Sequence, residues 1–492
     1  MRPLFSLSLI ATKRTCQLQC RSFHKSVRYF DPLRILFCGS DEFSVASLEA
    51  LNKERLAKSS ADIESIDVVC RPGKRTGAGL KVIRHLPIRE RARQLSLPLH
   101  EIDTFTGWQP PAGINLIIAV SFGLFVPPRI LNEAKYGGLN VHPSMLPDLR
   151  GPAPIHWTIL LDRKHTGVTL QTLHPKKIDH GNILAQTAPP GMSYPHKTAT
   201  TKEMIPFMAT KGADLLVKGL RHRVFESTEP ITHSEASILE ITDGKGISHA
   251  PKITPEDRHI SSWEDIDATT ILRKNRAIGH LWDTTTYIRW TEDQLKEFPP
   301  LKPRTIPRKR IVFSGGFSIY KGGSNSSARA MESSNDSSSH DFISKLHEDK
   351  AHIMSVLETN PQPGQLIFLP RATGKPRDLI IFTSDCKLLR VHSCTIAGGA
   401  KDKGVEELWA VRLAHEKAFK RLLQLQLQIG ELNPEALGER KAEIFPEGGK
   451  HPAGSKNVPY KIEDLEKLKV ELMSDFESHE KHSLTARFDK SE

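Results

Sequence analysis

The sequence has few cysteines and lacks any long apolar run. Six cysteines are scattered over 492 residues, and no pair has the spacing with histidine that zinc sites use. This pattern indicates a reducing compartment and argues against a disulfide scaffold or a structural metal. No apolar run reaches the roughly 20 residues that a membrane-spanning helix needs, so we expect no membrane partner.

Acidic residues are absent before Asp31, whereas six basic residues lie among serine, threonine and leucine in the first thirty positions. Such a composition is typical of an organellar transit peptide. A secretory signal is the alternative, but residues 4–11 form a poor apolar core and no small-residue cleavage pattern follows. We therefore expect residues 1–30 to be a mitochondrial transit peptide and the mature protein to lie in the mitochondrial matrix.

The net charge is +12, which predicts an anionic partner, with nucleic acid favoured over acidic lipid. Six of the basic residues lie in the predicted transit peptide, so the charge alone is weak evidence. The length allows about three domains of ordinary size. Charge and length together permit a nucleic-acid-binding enzyme but do not identify one.

The first structured segment reads as a strand, a turn and a helix. An apolar run at residues 35–38 follows Arg34 and ends in Gly39, and a helical pattern covers residues 41–52. This is a Rossmann-like opening, yet the turn lacks G-x-G-x-x-G, which argues against NAD. Further strands are predicted at residues 66–70, 114–120, 138–141 and 167–173. We expect an α/β fold with a parallel-rich sheet.

The segment 139–151 concentrates groups that could carry chemistry. Asn140, His142 and Ser144 alternate, so in an extended strand they would share one face and could point into one cleft. An amide can hold a carbonyl oxygen, and an imidazole can move a proton near neutral pH. Asp179, before a glycine turn, could add a carboxylate. The combination favours transfer of an acyl or one-carbon group.

Each of these residues also has an ordinary structural explanation. A histidine beside prolines is usually structural, Asn140 and Asp179 could be turn residues, and Ser144 could be a local cap. Both segments follow predicted strands, and active sites of parallel sheets form beyond the carboxyl ends of the strands. The spaced triplet and the later aspartate, taken together, therefore favour a site.

The run Asn-x-His-x-Ser-x-Leu-Pro followed by Arg-Gly, with a downstream Asp-x-Gly, resembles the signature of the folate-dependent formyltransferases. Its continuation, Arg-Gly-Pro-Ala-Pro-Ile at 150–155, is most similar to the methionyl-tRNA formyltransferases. The resemblance covers about residues 33–315 and 362–410. It implies a Rossmann-like catalytic domain at 31–230, a linker at 231–260 and a smaller OB-like β-barrel domain at 261–430. We expect an unstructured serine-rich insertion at 318–345, and a charged tail at 431–492.

The resemblance implies that 10-formyltetrahydrofolate gives its formyl group to the α-amine of methionine on initiator tRNA, without a metal. Asn140 would hold the formyl oxygen, and His142 would share in oxygen stabilisation or proton transfer. Asp179 would orient His142 and relay the amine proton. The residues expected to line the folate side are Phe122, Gly123, Leu124, Ser144, Met145, Leu146 and Pro147.

A glycine-rich basic loop at residues 71–81 corresponds to the loop that enters the acceptor stem of the tRNA in this family. Gly77-Ala-Gly79 departs from the more usual Gly-Arg-Gly, which puts individual contacts there in doubt. A solvated surface loop is the alternative. The residues expected to bind tRNA are Lys74, Arg75, Lys81, Arg150, Lys302, Arg308, Lys309 and Arg310.

Two other functions remain open. One is another folate enzyme, either a formyltransferase for a small amine or a 10-formyltetrahydrofolate hydrolase. The basic loop, the predicted barrel and the leader argue against it. The other is a non-catalytic RNA-binding protein of mitochondria, against which the presence of Asn140, His142 and Asp179 argues. We expect a monomer.

Overall fold

The computed structural model describes residues 31–227, 229–284, 310–321, 349–355, 357, 363–370 and 376–410. The predicted transit peptide, the charged tail and most of the serine-rich insertion lie outside these residues. Within the described residues, no helix has both the length and the apolar character needed to span a membrane.

The helices are α1 (Glu42–Leu56), α2 (Pro87–Gln94), α3 (Pro128–Glu133), α4 (Pro154–Leu160), α5 (Thr201–Arg221), α6 (Glu235–Ile241) and α7 (Ala268–Ile278). The first nine strands are β1 (Leu33–Gly39), β2 (Ile63–Cys70), β3 (Lys74–Thr76), β4 (Val82–Arg84), β5 (Leu99–Glu101), β6 (Leu116–Val120), β7 (Gly138–His142), β8 (Thr169–Thr172) and β9 (Ile183–Gln186). The later strands are β10 (Leu281–Asp283), β11 (Ile311–Phe313), β12 (Phe317–Ile319), β13 (Leu366–Pro370), β14 (Pro376–Phe382), β15 (Leu388–Val391) and β16 (Thr395–Ile396).

Seven strands form the main sheet, in the order β5-β2-β1-β6-β7-β8-β9. Neighbours from β5 to β7 pair in parallel, whereas β8 pairs antiparallel with both β7 and β9. The predicted parallel-rich α/β sheet is confirmed. The direction of β8 is a finding of the structure, because an apolar run of this length does not encode the direction of its strand.

Helices α1 and α5 pack against one face of this sheet. A capping box begins α5, since Thr200 and Glu203 exchange hydrogen bonds between side chain and backbone amide. Its apolar side, including Leu216 and Leu220, joins Leu139, Val141 and Leu170 of the sheet in one core cluster. The opposite face is covered by a second cluster from residues 102–134. The sheet is thus buried on both faces, as its continuous apolar strands predict.

Antiparallel sheets follow in the second half of the described chain, in the orders β10-β11-β16 and β12-β15-β14-β13. Backbone hydrogen bonds from Gly315 to Ser393 and from His392 to Gly316 connect them. β11 and β12 therefore form one bent ribbon opposite β15 and β16. The predicted β-rich second part is confirmed, while its closure as an OB-like barrel stays a prediction.

We expect Leu216→Ala in α5 to lower the free energy of unfolding by about 2–5 kcal/mol, because the fully buried side chain would leave a cavity in the core. Leu56→Ala in α1 is the matched control, since that side chain is 68% exposed. Urea denaturation of both variants measures the difference. Equal midpoints would contradict the assigned core.

Candidate functional site

Two polar side chains of β7 lie on the sheet face opposite the α5 core. Asn140 pairs across β8 with Gln171, and His142 pairs with Thr169. Directly opposed residues of antiparallel strands share a face, so these four side chains form one polar group on an otherwise apolar sheet. The predicted convergence of Asn140 and His142 on one face is observed.

Gln171 is the centre of this group and is 1% exposed. Its Nε2 donates to Asn140 Oδ1 at 3.1 Å and to Asp179 Oδ1 at 3.2 Å. Its Oε1 accepts from the amide of Gly181 at 3.2 Å. The Nδ2 group of Asn140 also donates to the carbonyl of Ala119 at 2.9 Å, so one of its two N–H bonds is directed towards β6. One amide side chain thereby joins both strands to the Asp179 loop.

The loop 173–182 brings Asp179 back over the face of β7 and β8. Because β8 is antiparallel, this loop does not leave from the carboxyl ends of the parallel strands, and the reasoning that placed Asp179 there is wrong. The loop reverses instead at Gly181, where an added Cβ would lie 1.7 Å from the carbonyl oxygen of Thr172. Only glycine permits this close approach.

Two hydrogen bonds from residues 150 and 151 hold Asp179, which has a left-handed φ of 56°. Its Oδ2 accepts from the amide of Gly151 at 3.0 Å, and its carbonyl oxygen accepts from Arg150 Nε at 2.8 Å. Its Oδ1 lies 3.5 Å from Nδ1 of His142, and both side chains are less than a tenth exposed. The three residues predicted as catalytic, Asn140, His142 and Asp179, therefore meet at one place.

The hydrogen bonds of His142 decide which ring nitrogen carries hydrogen. Nε2 lies 3.0 Å from the carbonyl oxygen of Leu149. A carbonyl can only accept, so Nε2 donates, and in the neutral ring Nδ1 is an acceptor facing the Asp179 carboxylate. Two acceptors then face each other, and one added proton would join them. The Leu149 carbonyl thus fixes which ring nitrogen of His142 faces the Asp179 carboxylate.

Ser144 does not extend the polar face. β7 ends at His142, the amide of Ser144 bonds back to the His142 carbonyl, and its hydroxyl donates to the carbonyl of Asp148 at 2.8 Å. The expectation that Ser144 shares the cleft with Asn140 is wrong, because the strand turns before reaching it. Met145 and Leu146 are buried as well. Their folate-binding role stays a prediction.

The loop 121–127 follows β6 next to this face. Phe122 is buried, and its carbonyl accepts from the Ser40 hydroxyl at 3.1 Å. Gly123 adopts a left-handed φ of 76° that favours glycine. Leu124 lines a cavity of about 290 Å³, whose other walls are Thr104, Phe105, Thr106, Phe125, Pro127 and Arg129.

The basic residues predicted to bind tRNA fall in different settings. Lys74, Arg75 and Lys81 lie exposed on the hairpin of β3 and β4. Arg150 is half-buried and holds the Asp179 loop instead of projecting from the surface. Arg310 lies over the ring of Trp282, 4.1 Å from its centre. Lys302, Arg308 and Lys309 are outside the described residues.

Sequence reasoning missed Gln171 and the carbonyl of Leu149. A glutamine inside the apolar strand 167–173 is a signal that could have indicated the first, because a buried amide needs partners. A backbone carbonyl has no such signal. Among the residues that the structure describes, no cluster of three or more His, Cys, Asp or Glu side chains could hold a metal ion.

A family model described as formyl transferase matches residues 33–205. The mitochondrial methionyl-tRNA formyltransferase of Saccharomyces cerevisiae is 33% identical over 288 residues, which cover 51% of this chain and 69% of the yeast protein. The human mitochondrial methionyl-tRNA formyltransferase is 33% identical over 275 residues, covering 55% of this chain and 62% of its own. A putative methionyl-tRNA formyltransferase of Schizosaccharomyces pombe is 31% identical, with coverage of 51% and 74%.

Solved structures of similar proteins include HypX from Aquifex aeolicus in complex with tetrahydrofolic acid, with a TM-score of 0.39 and 15% identity. That similarity covers 74% of this chain and 44% of HypX. The sugar 3N-formyl transferase WlaRD gives a TM-score of 0.39 at 14% identity and covers 75% of this chain and 100% of its own. At these scores the strand order, and not the similarity, defines the fold.

We expect Gln171→Met to loosen the loop 173–182, because the thioether replaces an amide that bonds Asn140, Asp179 and Gly181. Amide hydrogen exchange in this loop should rise, while exchange in α5 stays unchanged. Gln94→Met at the exposed end of α2 is the matched control. Wild-type protection of the loop in Gln171→Met would mean that the glutamine does not hold it.

Proposed function

Because the chain belongs to the methionyl-tRNA formyltransferase family, we propose that it transfers the formyl group of 10-formyltetrahydrofolate to the α-amine of methionyl initiator tRNA. The observation that carries this proposal is the meeting of Asn140, His142 and Asp179 around Gln171. The relatives span more than this matched region, and the chain covers 62% to 74% of the length of the three described above. Activity, substrates and partners are therefore proposed for the whole protein.

In the proposed reaction the amine nitrogen bonds to the formyl carbon, and negative charge develops on the formyl oxygen. Asn140 uses one N–H of its amide for Ala119, and its second N–H is the donor for that oxygen. The bond from the formyl carbon to the folate nitrogen then breaks, and that nitrogen gains a proton. The products are the N-formylated amine and tetrahydrofolate, so atoms balance.

The attacking amine must lose one proton, and the His142–Asp179 pair is the proposed acceptor. The Leu149 carbonyl keeps Nε2 protonated, so Nδ1 is the nitrogen that gains a proton, and the Asp179 carboxylate stabilises the resulting cation. The same pair can return the proton to the folate nitrogen. The reaction then needs no net proton exchange with solvent.

For the folate, we propose a position between the signature and the loop containing Phe122, Gly123 and Leu124. The cavity at Leu124 has mixed walls, in which Phe105, Phe125 and Pro127 offer apolar surface to a flat ring, and Thr104, Thr106 and Arg129 offer polar groups to its edge. Met145 and Leu146 are buried and would shape the floor of the cleft, with Pro147 at its edge. Ser144 would contribute to the folate side indirectly, because its hydroxyl donates to the carbonyl of Asp148 in the same loop.

We further propose that the protein acts in the mitochondrial matrix as a monomer. The acid-free leader and the relatives named as mitochondrial support the location. The assay that tests the function measures transfer of a labelled formyl group from 10-formyltetrahydrofolate to charged initiator tRNA. Release of formate without transfer would indicate a hydrolase, and tRNA binding without turnover would indicate a non-catalytic protein.

We expect Asn140→Ala to lower kcat about 10²–10³-fold through loss of an oxyanion donor, and His142→Ala or Asp179→Ala about 10²–10⁴-fold through loss of proton transfer. The KM for tRNA should change little, since these interactions form in the transition state. His100→Ala is the control, because His100 makes a similar contact with Asp67 at 2.9 Å on β5, at the edge of the sheet. Near-normal kcat in His142→Ala would overturn the assignment.

We expect the triple variant Lys74→Ala, Arg75→Ala and Lys81→Ala to raise the KM for tRNA, because each lysine or arginine lost removes a phosphate contact. The salt dependence of log KM should flatten by about two to three units, because fewer counterions are released on binding. The folate KM should stay unchanged.

Its control removes three exposed lysines of α5, Lys202, Lys211 and Lys218, and so changes the net charge equally. A uniform charge effect would alter both variants alike. In that case the β3–β4 hairpin would be a solvated surface and the tRNA path would lie elsewhere.

A further inference from the structure

A buried ion pair between Asp148 and Arg163 holds the loop that ends the signature segment 139–151. Arg163 follows α4, and its Nη2 lies 3.0 Å from Asp148 Oδ1, with side chains only 2% and 4% exposed. The guanidinium also donates to the carbonyls of Thr242 at 2.6 Å and Gly246 at 2.8 Å. Arg163 thus joins the signature to a segment about a hundred residues further along the chain.

The same carboxylate oxygen accepts from the amide of Ser248 at 2.8 Å. The carbonyl of Ser248 in turn accepts from the amide of Leu149 at 2.8 Å, and the amide of Ala250 donates to the carbonyl of Arg150 at 2.8 Å. Residues 242–250 therefore lie alongside residues 148–151 and bond to their backbone and to the Asp148 side chain. We call Asp148, Arg163 and the segment 242–250 the clamp.

The clamp contacts the peptide of Leu149, whose carbonyl oxygen fixes the His142 ring. Leu149 has a left-handed φ of 59°, a conformation that a leucine adopts only when its surroundings stabilise it. In that conformation its carbonyl oxygen meets Nε2 of His142 at 3.0 Å. The hydrogen bond of its amide to Ser248 stabilises the same peptide from the other side.

A buried ion pair is a poor source of stability, because removing two charges from water costs about as much as their attraction returns. Burial raises the pKa of the Asp148 carboxyl, and the Ser248 amide and Arg163 oppose that shift. The clamp therefore needs another explanation, and the geometry of the loop supplies it.

We infer that Asp148 and Arg163 are positioning residues, which hold the backbone carbonyl that fixes the ring of His142. Without the clamp the carbonyl would leave Nε2, the ring could rotate or change tautomer, and Nδ1 would no longer face the carboxylate. The inference rests on the proposed function for its kinetic part, while the arrangement of the loop can be tested without activity.

The main test is the double variant Asp148→Ala, Arg163→Met, which removes both buried charges together and so leaves neither unpaired. We expect kcat to fall about 10²-fold through misplacement of His142, with little change in the KM for tRNA. Amide exchange in residues 143–151 should rise. The conservative variant Asp148→Asn keeps Oδ1 as an acceptor for Ser248 and Arg163, and should retain kcat within a few-fold.

The matched control is Glu54→Ala, Arg221→Met. It removes the bidentate ion pair between α1 and α5, with contacts of 2.7 Å, at a distance from the loop. It should lower the melting temperature and leave kcat and the exchange of 143–151 unchanged. If the main double variant does not fold, Arg163→Lys replaces it. A lysine keeps the charge but loses the fork that reaches both Thr242 and Gly246, so kcat should fall less steeply.

The outcomes distinguish the proposed function from the role of the clamp. A wild-type protein without formyl transfer would overturn the proposed function, and the exchange of 143–151 would still decide whether the clamp holds the loop. Wild-type kcat and exchange in the clamp variant would overturn the inference. An equal fall of kcat in the control would also overturn it, because a general loss of stability would then explain both.

Discussion

The antiparallel pairing of β7 with β8 is the constraint on which the candidate site depends. It sets Asn140 opposite Gln171 and His142 opposite Thr169, on the face away from α5. The residues that alternate with them, Leu139, Val141 and Leu170, enter the core on the other face. A slip of β8 by one residue would turn Gln171 and Thr169 towards α5 and Leu170 towards the site. Core packing and site geometry are therefore specified by the same register.

Burial of polar groups is costly unless each finds a partner, and the site is organised by that requirement. Gln171 satisfies its amide within the protein, through Asn140, Asp179 and Gly181. Two capacities are left over at the site: the second N–H of Asn140 and the Nδ1 acceptor of His142. The proposed function uses these two groups, the N–H as the donor to the formyl oxygen and Nδ1, beside the Asp179 carboxylate, as the proton acceptor.

The sequence predicted much of this fold and less of this site. Continuous apolar runs predicted the central strands, and the spacing of Asn140, His142 and the later Asp179 predicted the residues that meet. The direction of β8 could not be predicted, since a short apolar run has the same pattern either way. The contacts of Ser144 and Arg150 could not be predicted either, because the strand ends at His142 and the loop at Asp179 folds back over the sheet. Such turns depend on contacts far apart in the chain, as at Gly181 and Thr172.

Hydrogen bonding also extends the catalytic unit beyond the part that local patterns define. The family model ends at residue 205, and the predicted catalytic domain ends at 230, yet Ser248 and Ala250 bond directly to the signature. Gly151 shows how closely they approach, because a Cβ there would lie 2.5 Å from the Ala250 carbonyl oxygen. A segment that reads as a linker is thus part of the wall that shapes the site. The peptide of Leu149, whose carbonyl oxygen contacts the His142 ring, is thereby bonded to a segment outside the matched family region.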